Sequence, residues 1–286
     1  MGYALNGSAV TENLQSKYPV MKIAFTIDFE DWYQGIDLPF DKWKNLEKRL
    51  HIGHYKLLEL FQKANVKATY FLLGKTIEDH PEMISEIINE GHEIGCHTYS
   101  HPFIYKLTPQ AFREELQKSK QLINSFGVRY SGFRAPYFSI DARSLWALDI
   151  LKEEGFTYDS SIFPGDAKRT GIPGFNPKIQ HLNNGMQEFP ISTLKVFNFD
   201  FGVGGGYFRL LPYTFFKEKM EKILEERHSI FYLHPWELDI KQPKVPGINR
   251  RIRFTHYVNL YSAEKKVKQL LTDFECTTVA DILNNQ

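Results

Sequence analysis

Residues 67–101 read KATYFLLGKTIEDHPEMISEIINEGHEIGCHTYSH. Lys67–Leu73 is an apolar, aromatic and β-branched run closed by Gly74, the pattern of a buried strand. Pro81–Glu90 reads as a helix that stops at Gly91, a favourable residue just past a helix end. His92–Cys96 reads as the next short strand. Strand, helix and strand in this span form a βα unit, whose strands run parallel. Immediately after the second strand come His97 and His101. Imidazole is a common ligand for zinc, and an i, i+4 pair on a helical turn points both rings the same way. Taken alone, the pair also reads as two surface histidines.

The same alternation continues in both directions. Upstream, Lys22–Asp28 (KIAFTID) reads as a buried strand, and Arg49–Ala64 carries apolar residues at helical spacing. Downstream, Thr108 and Pro109 open a helix to Ser125, with Thr108 as cap and Pro109 as first helical residue. Further strands are expected at Gly132–Arg134, Phe156–Asp159, Gln187–Pro190, Ser229–Leu233 and Cys276–Val279. Helices are expected at 141–154, 212–227 and 262–274. Phe163 to Pro212 is rich in Gly, Pro and Asn, and a long irregular stretch inside a compact domain is usually functional. The chain is therefore of the α/β class. Residues 21–286 are expected to form one domain, with 1–20 an extension or tag and Met21 a plausible start.

With 42% hydrophobic and 24% charged residues, the chain can bury a large core. Its formal net charge of +1 gives no electrostatic case for nucleic acid or a membrane surface. Aromatic residues reach 15%, which suits a sugar-stacking cleft as well as a crowded core. Cys96 and Cys276 form no disulfide framework, so a reducing compartment is the simpler setting. No apolar run is long enough to span a membrane, and Met1–Val20 lacks the apolar centre of a signal peptide. A cytoplasmic location is expected, with membrane association through a lipid-linked substrate as a further option.

Chemistry-bearing residues fall at the C-terminal ends of the expected strands, the edge where parallel α/β folds assemble their sites. Asp28, Glu30 and Asp31 follow the first strand, His97 and His101 the third, and Arg134-Ala135-Pro136-Tyr137 the fourth. Asp159 follows the fifth, and His234-Pro235-Trp236-Glu237 the seventh. Three carboxylates in four residues cannot all ionise in a dry cleft without a cation. One carboxylate with His97 and His101 would leave an open position on a divalent metal, most readily Zn2+, and a second could take a proton from water. A solvated acidic turn is the alternative. Gly204–Gly206 lacks the context of a phosphate loop. With Arg209, these glycines are expected to cover the cleft. Arg250, Arg251 and Arg253 suit an anionic sugar or pyrophosphate, or a solvated loop.

The stretches Thr26–Asp31, His97–His101, Arg134–Tyr137, Asp159–Ser161 and Leu233-His234 resemble, in order, the five motifs of the polysaccharide deacetylases. This is the NodB-homology group, carbohydrate esterase family 4. The resemblance covers roughly residues 22–280. The phrases Glu30-Asp31-Trp32, Gly204–Pro212 and Tyr232–Glu237 further resemble a bacterial subfamily tied to exopolysaccharide or surface-glycan loci.

The resemblance implies a distorted (β/α)7 barrel. It implies Asp28 as general base, Arg134 as the residue orienting it, the Tyr137 N–H as an oxyanion donor and His234 as the acid for the leaving amine. It also implies Leu233 at the acyl pocket, and Asp159 shaping the groove and fixing either the acid histidine or the arginine. In the family, base and carboxylate ligand are adjacent aspartates; here Glu30 stands between Asp28 and Asp31. Asp31 is the expected ligand for its shorter side chain, with Glu30 the alternative. The usual tryptophan of the fourth motif is missing, its space open to Ile162 or Phe163.

Trp32, Tyr137, Phe138, Tyr207 and Trp236 are candidates for stacking on sugars, or for packing, and Pro136 joins the expected substrate-binding residues. The expected activity is metal-dependent removal of an N-acetyl group from an amino sugar of a bacterial polysaccharide or of its lipid-linked or nucleotide-linked precursor. A related amide hydrolase and a non-catalytic glycan-binding protein are the rivals. No nucleic-acid partner and no integral membrane segment is expected.

Overall fold

The structure is a computed structural model that describes residues 20–36, 38–165, 170–196 and 199–285. The proposed extension, 1–20, lies outside the described residues except for Val20. In chain order the first half contains β1 (Ile23–Phe29), α1 (Leu50–Ala64), β2 (Thr69–Leu72), α2 (Gly74–Asp79), α3 (Pro81–Asn89), β3 (Glu93–Cys96), α4 (Pro109–Asn124), β4 (Gly132–Phe133), α5 (Trp146–Glu153) and β5 (Tyr158–Asp159). The second half contains β6 (Gln180–His181), β7 (Gln187–Glu188), β8 (Thr193–Val196), β9 (Phe199–Gly202), α6 (Gly205–Leu210), α7 (Tyr213–Leu224), β10 (Ser229–Leu233), α8 (Arg250–Tyr257), α9 (Leu260–Asp273), β11 (Cys276–Thr277) and α10 (Val279–Asn284).

One nine-stranded sheet runs β10-β1-β2-β3-β4-β5-β7-β6, with β11 also on β1; β8 and β9 form a separate hairpin. All pairings along β10 to β7 are parallel, and only β6 runs antiparallel to its neighbour. The sheet curls into a half-barrel. Irregular chain spans the gap between β7 and β10: Ile191 N–H donates to Ile162 O, Val203 N–H to Ser192 O, and Tyr232 N–H to Val203 O. The result is the distorted (β/α)7 barrel expected from the sequence.

β1 is apolar along most of its length because both faces are buried. Ile23, Phe25, Ile27 and Phe29 pack in one cluster with Leu50, Leu57 and Phe61 of α1. Ala24 packs on the other face with Phe71, Tyr158, Ile230 and Tyr232. Thr26 and Asp28 share the side of Ala24, since strand side chains alternate. The first acid of the sequence motif is thereby turned into the barrel.

Three segments depart from expectation. The helix expected from Asp141 begins at Trp146, because Asp141 Oδ1 accepts the Arg143 N–H and Ser144 Oγ accepts the Asp141 N–H, making a turn. The last strand stops at Thr277, because Thr278 caps α10 by accepting the Asp281 N–H. The stretch 163–212 is less irregular than expected, holding β6 to β9 and α6.

α1 lies against the 3-10 turn Pro235–Leu238 that follows β10, and Gly53 permits this contact. A Cβ there would sit 1.8 Å from Pro235 O and 2.4 Å from Pro235 C, both backbone atoms that cannot swing aside. Gly53→Ala is expected to destabilise the fold by about 3 kcal/mol, the upper range for overpacking. A change in denaturant-derived stability below ~0.5 kcal/mol, the scale of a neutral surface substitution, would mean that α1 can shift freely on this turn.

Candidate metal and catalytic site

The expected residues do converge at the C-terminal ends of β1, β3, β4 and β10. Glu30, His97 and His101 each bring one ligand atom to within 4.8 Å of the others, and all three are buried. His97 follows β3, and its Nδ1 lies 2.7 Å from Arg134 O. With that nitrogen donating to the carbonyl, Nε2 is left as the unprotonated ligand atom. Glu30 Oε2 lies 2.7 Å from His101 Nε2. Even so, Glu30 Oε2 and His101 Nδ1 have no hydrogen-bond partner of acceptable geometry although both are buried. An orphaned carboxylate oxygen between two imidazoles is the signature a cation would complete, so these residues fit a divalent metal.

Asp31 is elsewhere, which corrects the expected order of the two acids. Its Oδ1 accepts the Trp32 N–H at 2.8 Å, and its Oδ2 accepts the N–H groups of Arg49 and Leu50 at 2.7 and 3.1 Å. It thus serves the start of α1, whose first N–H groups lack partners within the helix. Side-chain length did not decide between the two acids; the entry of α1 did. Burial pushes the Asp31 carboxyl up to about 6, despite these three donors. Burial also opposes charge on Glu30, but His101, His234 and His97 outweigh it and bring the carboxyl down to about 2.

Asp28 occupies the barrel interior beside Arg134. The guanidinium Nη1 donates to Asp28 Oδ1 at 2.9 Å and to Thr26 Oγ1 at 2.6 Å. Nε and Nη2 donate to Ser160 O and Oγ, both at 3.0 Å, and the group lies over the Phe71 ring. Arg134 is wholly buried, so its four contacts fix one orientation of Asp28. The three acids of the first motif are therefore held apart: Asp28 by Arg134, Glu30 among the histidines and Asp31 by backbone N–H groups.

His234 lies next to both Asp28 and Glu30. Its Nε2 is 3.5 Å from Glu30 Oε1 and 3.8 Å from Asp28 Oδ2. Its Nδ1 is 2.8 Å from Glu237 Oε1, which also accepts the His234 N–H at 3.0 Å. Burial works against a charged ring, but Glu237, Glu30 and Asp28 outweigh it and raise His234 to about 9. Glu237 Oε2 in turn accepts Arg209 Nε at 2.6 Å, and both side chains are inaccessible to solvent. Arg209 also donates to the carbonyls of Thr255, His256 and Val258. Arg209 is thus a buried anchor rather than part of a cover over the cleft. Reading the sequence left Glu237 without a role, although an acid three residues past a helix-capping position is the capping-box pattern.

The loops that carry the site are held in uncommon backbone conformations. Thr98, His101, Tyr137 and Phe138 all have positive φ, at 61°, 61°, 57° and 53°. Such non-glycine conformations persist only when surrounding contacts over-determine them. For the histidine loop those contacts are explicit. Gly74 and Lys75 N–H, at the start of α2, donate to Thr98 O and Tyr99 O at 2.8 and 3.0 Å. Glu115 of α4 accepts the Tyr99 and Ser100 N–H groups from the other side. The Tyr137 ring stacks on Phe103 and meets His101 edge-on.

Several expected sugar contacts are corrected by burial. Trp32 is 2% exposed and spends its Nε1–H on Glu47 O. Trp236 is enclosed between the His234 and His256 rings, with centroids 5.1 and 4.0 Å away. Pro136, Asp159 and Leu233 are buried as well. Asp159 does not touch His234; it binds Ser161 Oγ at 2.6 Å, and that hydroxyl accepts the Ala135 N–H, so it supports the arginine segment. Burial raises Asp159 from its ordinary value and raises its neighbour Glu188 well above its own. Tyr207 and Tyr137 remain partly exposed.

Residues 38–158 match the family model described as polysaccharide deacetylase, and this segment contains His97, His101 and Arg134. The chain contains a polysaccharide deacetylase domain. Its downstream part, residues 160–284, matches a second model described as a domain of unknown function, DUF3473. Among curated proteins, the deacetylase domain is similar to a peptidoglycan-N-acetylglucosamine deacetylase of Bacillus cereus, at 40% identity over 118 residues. That match covers 37% of this chain and 43% of the relative. A peptidoglycan deacetylase of Helicobacter pylori is 32% identical over 151 residues, half of each chain. The chain thus spans about half the length of these relatives or less.

Solved structures share the fold of nearly the whole chain. A Mycobacterium smegmatis protein described as a candidate polysaccharide deacetylase superposes with TM-score 0.63 at 19% identity, over 94% of this chain and 92% of its own. A family 4 carbohydrate esterase from Streptomyces lividans reaches 0.50 at 13% identity, over 90% and 91%.

Proposed function

We propose that the protein is a metal-dependent hydrolase that removes the N-acetyl group from an amino sugar of a bacterial polysaccharide or of its lipid-linked or nucleotide-linked precursor. One observation carries this reading: the Glu30–His97–His101 donor set lies beside both Asp28 and His234, with His234 Nε2 within 4 Å of a carboxylate oxygen of Glu30 and of Asp28. The named deacetylase relatives support the choice of bond. Two imidazoles and a carboxylate suit zinc, which when bound supplies Lewis acidity to an amide carbonyl and to water.

The chain's own residues do the rest. Asp28, held by Arg134, takes the proton from the attacking water. The Tyr137 N–H donates to the developing oxyanion, a contact typically worth about 3 kcal/mol of barrier. His234 Nε2 gives a proton to the departing amine nitrogen while Glu237 holds Nδ1. Acetate and a free amino sugar result. The two free cysteines are both buried, which accords with a reducing, cytoplasmic setting and with a precursor as substrate.

Metal analysis and acetate release test this together. Wild type is expected to hold about one divalent ion per chain and to release acetate from at least one of three substrate classes: glycan oligomers, lipid-linked sugars and nucleotide sugars. Residues outside the coordination shell alone are worth about 10–100-fold in metal affinity, so Glu30→Gln should lose more than that. Asp31→Asn should keep its metal and lose stability instead. Loss of metal in Asp31→Asn with retention in Glu30→Gln would return the ligand role to Asp31. A folded wild type with neither metal nor acetate release would end the hydrolase reading.

A further inference from the structure

We propose that the face formed by Ile240 to Tyr261, beside the mouth of the candidate site, docks on an anionic lipid bilayer. The segment Ile240–Ala263 contains Lys241, Lys244, Arg250, Arg251 and Arg253 and no Asp or Glu, a local charge that the net value of +1 conceals. All five cations are exposed. None of them pairs with a carboxylate among the described residues. Elsewhere many surface cations are matched, such as Lys22 with Glu275, Lys48 with Asp79, Lys56 with Glu264, Arg113 with Glu153 and Lys217 with Asp273, and those that are not, such as Lys67 and Lys178, are scattered along the chain rather than gathered in one acid-free segment.

Exposed apolar side chains lie among these cations. Ile240, Phe254 and Tyr261 are 59%, 55% and 78% exposed. Lys244, Arg253 and Phe254 line one open cavity of about 260 Å3 with Tyr257 and Val258. Arg250 and Phe254 are an i, i+4 pair on α8, so they share a helix face. Basic and aromatic side chains together fit a surface with anionic headgroups over acyl chains. A soluble polyanion would reward the charges and leave Ile240 and Phe254 in water. A second copy of the chain would set five cations against five. No described helix is long and apolar enough to cross a membrane, so the contact would be peripheral.

The face is also tied to the site. His256 of α8 stacks on Trp236, which stacks on His234, and three carbonyls at the end of α8 receive Arg209. Docking would therefore bring the mouth close to headgroup level. The proposal does not rest on the reaction at the metal site, and its test reads no activity.

The whole chain is sedimented with phosphatidylglycerol–phosphatidylcholine vesicles and with pure phosphatidylcholine vesicles, at low and physiological salt. Binding is expected only to the anionic vesicles and is expected to weaken with salt, since screening acts over about 10 Å at 0.1 M. Reversing three charges (Arg250→Glu, Arg251→Glu, Arg253→Glu) should cut affinity about 100-fold or more, at roughly tenfold per 1.4 kcal/mol. Phe254→Ser should weaken it several-fold at unchanged charge. These residues are exposed, so unfolding temperatures should match wild type. Equal binding to neutral vesicles, or binding indifferent to charge reversal, overturns the proposal. So does retention by a soluble anionic polysaccharide without vesicle binding, which would make this a glycan face. Self-association that Phe254→Ser abolishes, again without vesicle binding, would make it a contact between copies.

Discussion

Asp28→Asn is expected to keep its metal and lose about 10^2- to 10^4-fold in kcat, the range for a positioned general base. Asparagine has nearly the size of aspartate, and its Oδ1 can still accept from Arg134 Nη1, so the pocket should keep its shape. Asp28 is not one of the three clustered donors, so metal content should not follow activity down. The measurement is kcat and metal per chain on the same preparation. Loss of metal would place Asp28 in the coordination shell. Retained turnover would show that another group takes the proton.

The largest effect on stability is expected from Arg209→Met. Its guanidinium is buried against Glu237 and three carbonyls, so removal strands a buried carboxylate. Breaking such a pair typically costs about 3–5 kcal/mol. At roughly 2–4 °C per kcal/mol for a chain somewhat shorter than this one, the melting temperature should fall by about 10 °C. Arg209→Met with Glu237→Met should recover much of this, because no unpaired charge is left. It should not restore kcat, because Glu237 also holds His234 Nδ1. A loss under ~1 kcal/mol in the single variant, no more than an exposed ion pair is worth, would show that the pair does not clamp α6 to the turn after β10.

The strands that the sequence declares most openly are those buried on both faces. IAFTIDF in β1 and SIFYL in β10 are nearly continuous apolar runs, and a parallel barrel needs such runs at its centre. α8 was hidden for the opposite reason. RRIRFTHY buries only His256, and that ring packs on Trp236, a contact with no periodic signature. Each short strand of the β8–β9 hairpin likewise has no more than one fully buried position.

The grouping of the candidate site was legible wherever a residue lies at its own strand end, as with Asp28, His97, Arg134 and His234. It was not legible where a residue serves something distant in sequence. Asp31 looks like a ligand until the N–H groups of Arg49 and Leu50 arrive to claim it. Trp32 looks like a sugar platform until Tyr33 and Glu47 enclose it.

The place of β1 in the sheet bears on how the chain reaches this state. β1 leaves the ribosome first among the strands, yet one of its edges is covered only by β10, where Ile23 pairs with Ser229. At about 5–20 residues per second, roughly 10–40 s separate the synthesis of these two strands. During that interval β1 to β5 can associate, while β1 presents a bare apolar edge of the kind that recruits foreign strands. β11 and α10 come later still, and the N–H groups of Val279 and Ala280 complete contacts with Thr69 and Glu93. A nascent chain arrested before Ser229 would carry the histidine motif intact and still lack His234 and the strand that covers this edge of β1.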